Sequence, residues 1–188
     1  MKELSLNILD IAKNSVKANA TQVEILLEET DATLKITIRD NGCGMTQDFL
    51  KTVENPFSTT RTTRSVGMGI PLFKLAAEQS GGWFKIESTS DTVDSVNHGT
   101  TTTAFFRKDS IDFTPLGDIV STIVLLIQGS PSIRWIFSHR AGENEVSLDT
   151  GELKEVLGDV PLDTYEVLEW IIDSLREEYS ALNTGLTG

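Results

Sequence analysis

Asp40-Asn-Gly-Cys-Gly-Met45, continued by Asn55-Pro-Phe-Ser-Thr-Thr-Arg-Thr-Thr-Arg-Ser-Val-Gly-Met-Gly-Ile70, is the stretch on which the reading of this chain turns. It opens with a carboxylate at the end of an apolar alternating run, and two glycines follow at once. A short acidic side chain held beside flexible backbone can accept a hydrogen bond from an exocyclic amino group. Gly67-Met-Gly69 closes the stretch and feeds a helix-like segment, where a glycine-rich turn presents free backbone N–H groups to phosphate. Together these read as the two ends of a nucleotide site, whereas Asp-Asn-Gly alone would mark only a turn. Between them, residues 58–66 hold four threonines, two serines and two arginines and almost nothing apolar, so a mobile loop is expected there.

Upstream, Leu4, Ile8, Ile11, Ala12 and Ser15 make a helical stripe over residues 4–18. Asp10, Asn14 and Lys17 fall on a different face, with Asp10 and Asn14 one turn apart. An ordinary polar face would carry the same residues. Asparagine in mid-helix has poor propensity, however, and here it has no capping role. Asn19 is a candidate left-handed cap. Residues 21–28 (Val23, Ile25, Leu27) and 33–39 (Leu34, Ile36, Ile38) alternate at period two and read as a β-hairpin that delivers Asp40. Residues 49–53 suit a short helix stopped by Asn55-Pro56.

Downstream, Ile70, Phe73, Ala76, Ala77 and Ser80 mark a helix ended by Gly81-Gly82, with Pro71 in its first turn. Residues 83–89 and 100–107 read as strands joined by a polar loop. The composition changes near Lys108, so the chain is divided into a domain over 1–108 and a small acidic α+β appendage over 109–188. In the second part, residues 113–117 look like a linker, followed by a helix over 118–128 and a hairpin of 132–138 with 145–149. A final helix lies behind the capping box Asp163-Thr-Tyr-Glu166 and carries Leu168, Ile171, Ile172, Leu175, Tyr179 and Leu182 on its apolar face.

Composition narrows the classes. The 188 residues are 39% hydrophobic and 23% charged, as in a globular chain. One cysteine, Cys43, excludes an internal disulfide framework or a cysteine-rich zinc site and suits a reducing compartment. Glu3 and Asp10 argue against a signal peptide, and the apolar run 119–127 is too short to span a bilayer, so a soluble cytoplasmic protein is expected. The net charge is −12, placed unevenly. Residues 1–108 hold 12 Lys and Arg against 13 Asp and Glu, while 109–188 hold 4 against 15. Such a surface repels nucleic acid and anionic lipid, so neither is an expected partner; it serves either as a solvated face or as a dock for a basic partner.

Taken in order, these signals resemble the gyrase/heat-shock chaperone/histidine kinase/MutL ATPase superfamily over residues 1–108. Asp10-x-x-x-Asn14 with Ser15-Val-Lys-Ala-Asn-Ala-Thr21 resembles its asparagine box, in a variant similar to the MutL form. Asp40-x-Gly42-x-Gly44 is similar to its adenine-binding box. Gly67-Met-Gly69, preceded by Asn55-Pro-Phe-Ser-Thr-Thr-Arg61, resembles the phosphate-binding lid of sensor histidine kinases, and Gly99-Thr-Thr-Thr-Thr103 resembles the closing threonine strand. The resemblance implies a two-layer α/β sandwich of the Bergerat type, a mixed sheet with helices on one face, here followed by a small α+β module.

The resemblance also implies ATP and Mg²⁺ as cofactors. Asp40 would accept from the adenine amino group and Gly44 would let the chain pass close to the base, with Gly42 and Met45 beside them. Asn14 would be the metal ligand. The backbone of Gly67, Met68 and Gly69 would hold phosphates, with Lys17, Thr60 and Ile70 also in the cofactor site. Arg61 or Arg64 would offset γ-phosphate charge, and Thr102 or Thr103 would complete the adenine pocket. Asp10 stands where hydrolysing members have a glutamate base. Its carboxylate sits one methylene further back, and a displacement near 1 Å can cost about a hundredfold in rate, so binding is better supported than hydrolysis. A phosphoacceptor histidine on a helical hairpin is missing: His98 is expected in a loop and His139 in a hairpin turn, as surface or site-lining residues. Cys43, with no basic neighbour in sequence, reads as buried packing, and Trp83, Trp135 and Trp170 as core or interface residues. The uses that remain open are a protein kinase acting on a partner, a slow ATPase switch, or a non-catalytic binding module. The partner and the oligomeric state are open too.

Overall fold

The alternating hairpin forms as its pattern requires: β1 (Gln22–Glu29) pairs antiparallel with β2 (Thr33–Asp40), placing Ile25 opposite Ile38 and Leu27 opposite Ile36. This is a computed structural model describing residues 3–54 and 67–185. The expected stop at Asn55-Pro56, the loop 58–66, and with it Thr60, Arg61 and Arg64, lie outside the described residues.

The hairpin is the middle of a six-stranded mixed sheet. β3 (Trp83–Thr89) and β4 (Gly99–Arg107) extend it on the β2 side, while β5 (Arg134–Ala141) and β6 (Asn144–Asp149) extend it on the β1 side, in the order β3-β4-β2-β1-β5-β6. β1 and β5 run parallel; the other pairs are antiparallel. Period-two alternation gives the sheet one buried face, bearing Val23, Ile25, Leu27, Ile36, Ile38, Ala104, Phe106, Trp135 and Phe137.

The helices are α1 (Leu4–Lys17), α2 (Gln47–Glu54), α3 (Gly69–Gln79), α4 (Ile119–Gly129), α5 (Thr150–Leu157) and α6 (Tyr165–Gly185). The stripe read on α1 is buried in full, and Asn19 ends the helix with φ +57°. α3 anchors through Phe73, whose ring meets Phe84 and Phe106. α4 packs against both α1 and α6 and is buried on nearly every side. No helix among the described residues is long and apolar enough to cross a membrane.

The structure departs from the sequence reading in the second half. Residues 109–188 do not sit apart: β5 takes its place beside β1, and one apolar cluster runs from Leu4 and Ile8 through Ile123 and Ile127 to Ile171 and Leu175. The stretch read as a linker is fastened to the first helix. The N–H groups of Leu4 and Ser5, which have no partner within α1, donate to the carbonyls of Pro115 and Leu116 at 2.9 and 2.8 Å. The sequence reading passes from the hairpin straight to the final helix, and the structure adds α5 between them: Asp149 ends the strand and caps this helix, accepting from the Gly151 N–H at 2.8 Å. His139 is not in a turn. It lies within β5, 2% exposed on the core face, bonded to Glu29 (2.7 Å) and Tyr179 (2.8 Å).

Candidate functional site

Asp40 ends β2, and its carboxylate is fixed from three directions. Oδ1 accepts from the N–H groups of Gly42 (2.9 Å) and Thr100 (3.3 Å), and Oδ2 accepts from the Ser15 hydroxyl (2.6 Å). Asn41 turns back and accepts from the N–H groups of Thr21 and Gln22, tying the loop to the start of β1. The Cys43 N–H then donates to the Ala18 carbonyl at the end of α1. Two glycines are needed here for different reasons. A Cβ on Gly42 would lie 2.7 Å from that of Ala18, and Gly44, at φ +67°, would put a Cβ 1.9 Å from the Thr89 carbonyl oxygen. The loop is therefore pressed between α1 and the end of β3, where Met45 N–H donates to Ser88 Oγ at 2.8 Å.

This loop forms one wall of a cavity of about 740 Å³ bounded by the described residues. α1 supplies Ile11, Asn14, Ser15 and Lys17, with Ala18 just past its end; the sheet supplies Ile38, Asp40, Ile86, Thr100 and Thr102. Cys43, Gly44, Met45, Thr46, Phe49 and Val53 close the far side, and Gly67 and Ile70 stand at the start of α3. The apolar part suits a flat ring, and the polar groups are few and placed at its edges. Among the described residues no side chain caps the N-terminus of α3, which leaves the N–H groups of Gly69 and Ile70 for an anion.

Of the residues singled out in the sequence, Asn14, Lys17, Asp40, Gly44, Met45, Gly67, Ile70 and Thr102 line this one cavity. Gly42 sits behind Asp40 and holds it without reaching the cavity. Met68 and Gly69 are not on the lining; Gly69 packs instead on Asp10, whose Cβ would be 3.1 Å from a Cβ built there. Asp10 is likewise off the lining, one turn before Asn14. Thr103 is a correction. It pairs with Thr37 and Lys85 on the sheet's outer face, because strand alternation sends Thr100, Thr102, Ala104 and Phe106 inward and Thr101 and Thr103 outward. Cys43 is a second one: it is exposed and lines the cavity rather than packing in the core.

Thr100, Ser15 and Asp91 are site residues that sequence reasoning missed. Ser15 sits on the buried stripe of α1, where a small polar residue looks like filler. The loop before β4 braces the box from outside. The Asp94 carboxylate lies below its ordinary range because the Asn97 N–H, then that of Val96, donate to it, and this turn carries His98, whose Nδ1–H donates to the Gly42 carbonyl. Among the described residues no group of three or more His, Cys, Asp or Glu could hold a metal ion. A divalent ion here would depend on the Asn14 amide oxygen, water and the ligand's own oxygens, a set that suits Mg²⁺.

Residues 2–110 match the sequence pattern of the family described as histidine kinase-, DNA gyrase B-, and HSP90-like ATPase. Sporulation kinase C of Bacillus subtilis (strain 168) is 31% identical over 90 residues, which cover 47% of this chain and 20% of that protein. Sensor histidine kinase YvrG of the same organism is 27% identical over 101 residues, 50% of this chain and 16% of the relative. The chain therefore corresponds to a fifth or less of these relatives. Among solved structures, the Aquifex aeolicus MutL ATPase domain complexed with ADP superposes with a TM-score of 0.50 at 15% identity, covering 84% of this chain and 68% of that one. The N-terminal domain of a DNA repair protein gives 0.52 at 18%, covering 79% and 53%. At these identities the structural likeness shows the fold.

Proposed function

This chain belongs to the histidine kinase-, DNA gyrase B- and HSP90-like ATPase family, and from that premise we propose that it binds Mg-ATP in the cavity beside α1 and uses it on a partner protein, as a kinase or as an ATP-dependent switch. The observation that carries this reading is the Asp40 carboxylate, fixed by three hydrogen bonds in the wall of a cavity whose other end meets the uncapped start of α3. The adenine amino group would donate to Asp40, with the ring between Ile38, Ile86 and Met45 and with Thr102 at its edge. Phosphates would lie toward Asn14, Lys17 and the N–H groups from Gly67 to Ile70. When bound at Asn14, Mg²⁺ would offset phosphate charge.

Asp10 is the candidate for polarising water or an acceptor group; Arg61, Arg64 and Thr60, in the lid sequence 58–66, are proposed to close over the γ-phosphate. Both histidines of the sequence lie off helices, His98 before β4 and His139 inside β5, which favours a phosphate destination outside residues 1–188. A reducing, cytoplasmic setting fits an exposed unpaired Cys43.

Calorimetry of Mg-ATP on the wild type and on Asp40→Asn tests the site. Loss of the acceptor carboxylate should weaken binding by about 1.5–3 kcal/mol. A folded wild type that fails to bind would end this reading. Labelled γ-phosphate appearing on a partner would select the kinase, and release of free phosphate that Asp10→Asn abolishes would select the switch. Tight binding with neither would leave a nucleotide-binding interaction module.

A further inference from the structure

α6 turns Val167, Leu168, Ile171 and Leu175 into the core. On its opposite side Glu166, Trp170, Asp173 and Glu177 form one stripe, since residues three, four, seven and eleven apart share a helix face. Trp170 is 55% exposed, and no ring contact or hydrogen bond engages it among the described residues. A large ring left open to water is informative in a way that an exposed carboxylate is not. This one has a carboxylate one turn before it and another one turn after. The only basic residue of α6 is Arg176, and residues 109–188 carry 4 Lys and Arg against 15 Asp and Glu.

We propose that this stripe of α6 docks an arginine- or lysine-rich segment of a protein partner, with a cation seated on the Trp170 ring and its neighbours paired to Glu166 and Asp173. An aromatic face attracts a guanidinium or ammonium group, and flanking carboxylates add pairing at both sides. Charge decides between occupants. Nucleic acid would meet a strongly acidic surface, and a second copy of this chain would bring another net charge of −12 against the first. The surface is also separate from the nucleotide cavity: α6 packs on α4 and on β6, the sheet edge opposite β3, and none of its residues lines that cavity. The dock thus does not depend on nucleotide being bound.

Fluorescence anisotropy of a short fluorescein-labelled arginine–alanine peptide, titrated with the full chain at physiological salt, tests this. Trp170→Leu should weaken binding about three- to tenfold, and Trp170→Tyr, which keeps an aromatic face, should restore most of it. Glu166→Gln combined with Asp173→Asn should weaken binding about threefold or more. Glu152→Gln with Glu155→Gln removes the same charge from α5 and should leave affinity unchanged. Equal loss from the α5 pair, or wild-type affinity in Trp170→Leu, would overturn the proposal by reducing the effect to net charge. A concentration-dependent dimer in sedimentation that Trp170→Arg abolishes would overturn it in favour of a second copy.

Discussion

Single residues in the loop after β2 carry constraints that can be separated by experiment. Gly44 and Gly142 both have positive φ, +67° and +62°, but only Gly44 has no room for a side chain; nothing lies within 4 Å of a Cβ at Gly142. Gly142→Ala should therefore cost only the left-handed backbone penalty, about 1–2 kcal/mol. Gly44→Ala should cost about 2 kcal/mol beyond that and displace the Asp40 box, since the Thr89 carbonyl must move. Urea unfolding of the two variants, with Mg-ATP calorimetry, separates strain from clash. Cys43 supplies a second probe. As the only thiol, exposed on the cavity lining, it should react with iodoacetamide in the free protein and be protected by Mg-ATP, with protection lost in Asp40→Asn. Intact-mass labelling rates read this directly, and equal rates with and without nucleotide would place the ligand elsewhere. Residue-scale reading of the sequence failed where neighbours are alike. Glycines on both sides say nothing about the burial of Cys43, and a run of four threonines has no alternation of its own, so Thr102 and Thr103 were separable only through Ala104 and Phe106 further along the strand.

At the scale of elements, the pairing of β1 with β5 is clasped by a polar cluster at one end of the core face. Glu29 accepts from His139 and from Lys108 (2.6 Å), while Tyr179 of α6 sits on the other ring nitrogen of His139. The hydrogen bond from His139, then Lys108, hold the Glu29 carboxyl at about 2 against the desolvation that opposes them. Burial, and then the charge of Glu29, push the Tyr179 hydroxyl above its ordinary range. A carboxylate depressed on folding stabilises the protein fully above its unfolded value, about 4.5, and that contribution is lost as pH falls toward about 2. Wild type should therefore lose up to about 3 kcal/mol across this window, part of it screened by solvent, and Glu29→Gln should flatten that arm of a urea-midpoint profile. An unchanged slope in Glu29→Gln would assign acid sensitivity to other carboxylates. The strands themselves were legible from period-two alternation, and their ends were not. Glu29 lies one residue past the strand read over 21–28 and His139 one past that over 132–138, yet in the structure both stay in strands and each supplies the other's partner inside the core.

The whole molecule is where sequence and structure part most. A charge imbalance between the halves suggested a unit and an appendage, but charge reports on surfaces, and these halves share an interior. α4, whose apolar run 119–127 has no polar face to speak of, reads from sequence as a buried helix without showing what buries it; the cover is α1 on one side and α6 on the other. β1 and β5 pair in parallel across residues more than a hundred apart, a contact that no local pattern announces. Removal of residues 109–188 would leave the β1 edge unpaired, uncover Leu4 and Ile8, and strip the carbonyls of Pro115 and Leu116 from the start of α1. A chain of residues 1–108 should accordingly lack a cooperative thermal transition or aggregate, although it holds nearly all of the family match and every residue of the cavity lining. Circular dichroism and sedimentation on the truncated and full chains decide this, with 109–188 supplied in trans as the rescue. A truncated chain that melts cooperatively and binds Mg-ATP as the full chain does would make the second half dispensable to the site, leaving the surface of α6 as its reason to be there.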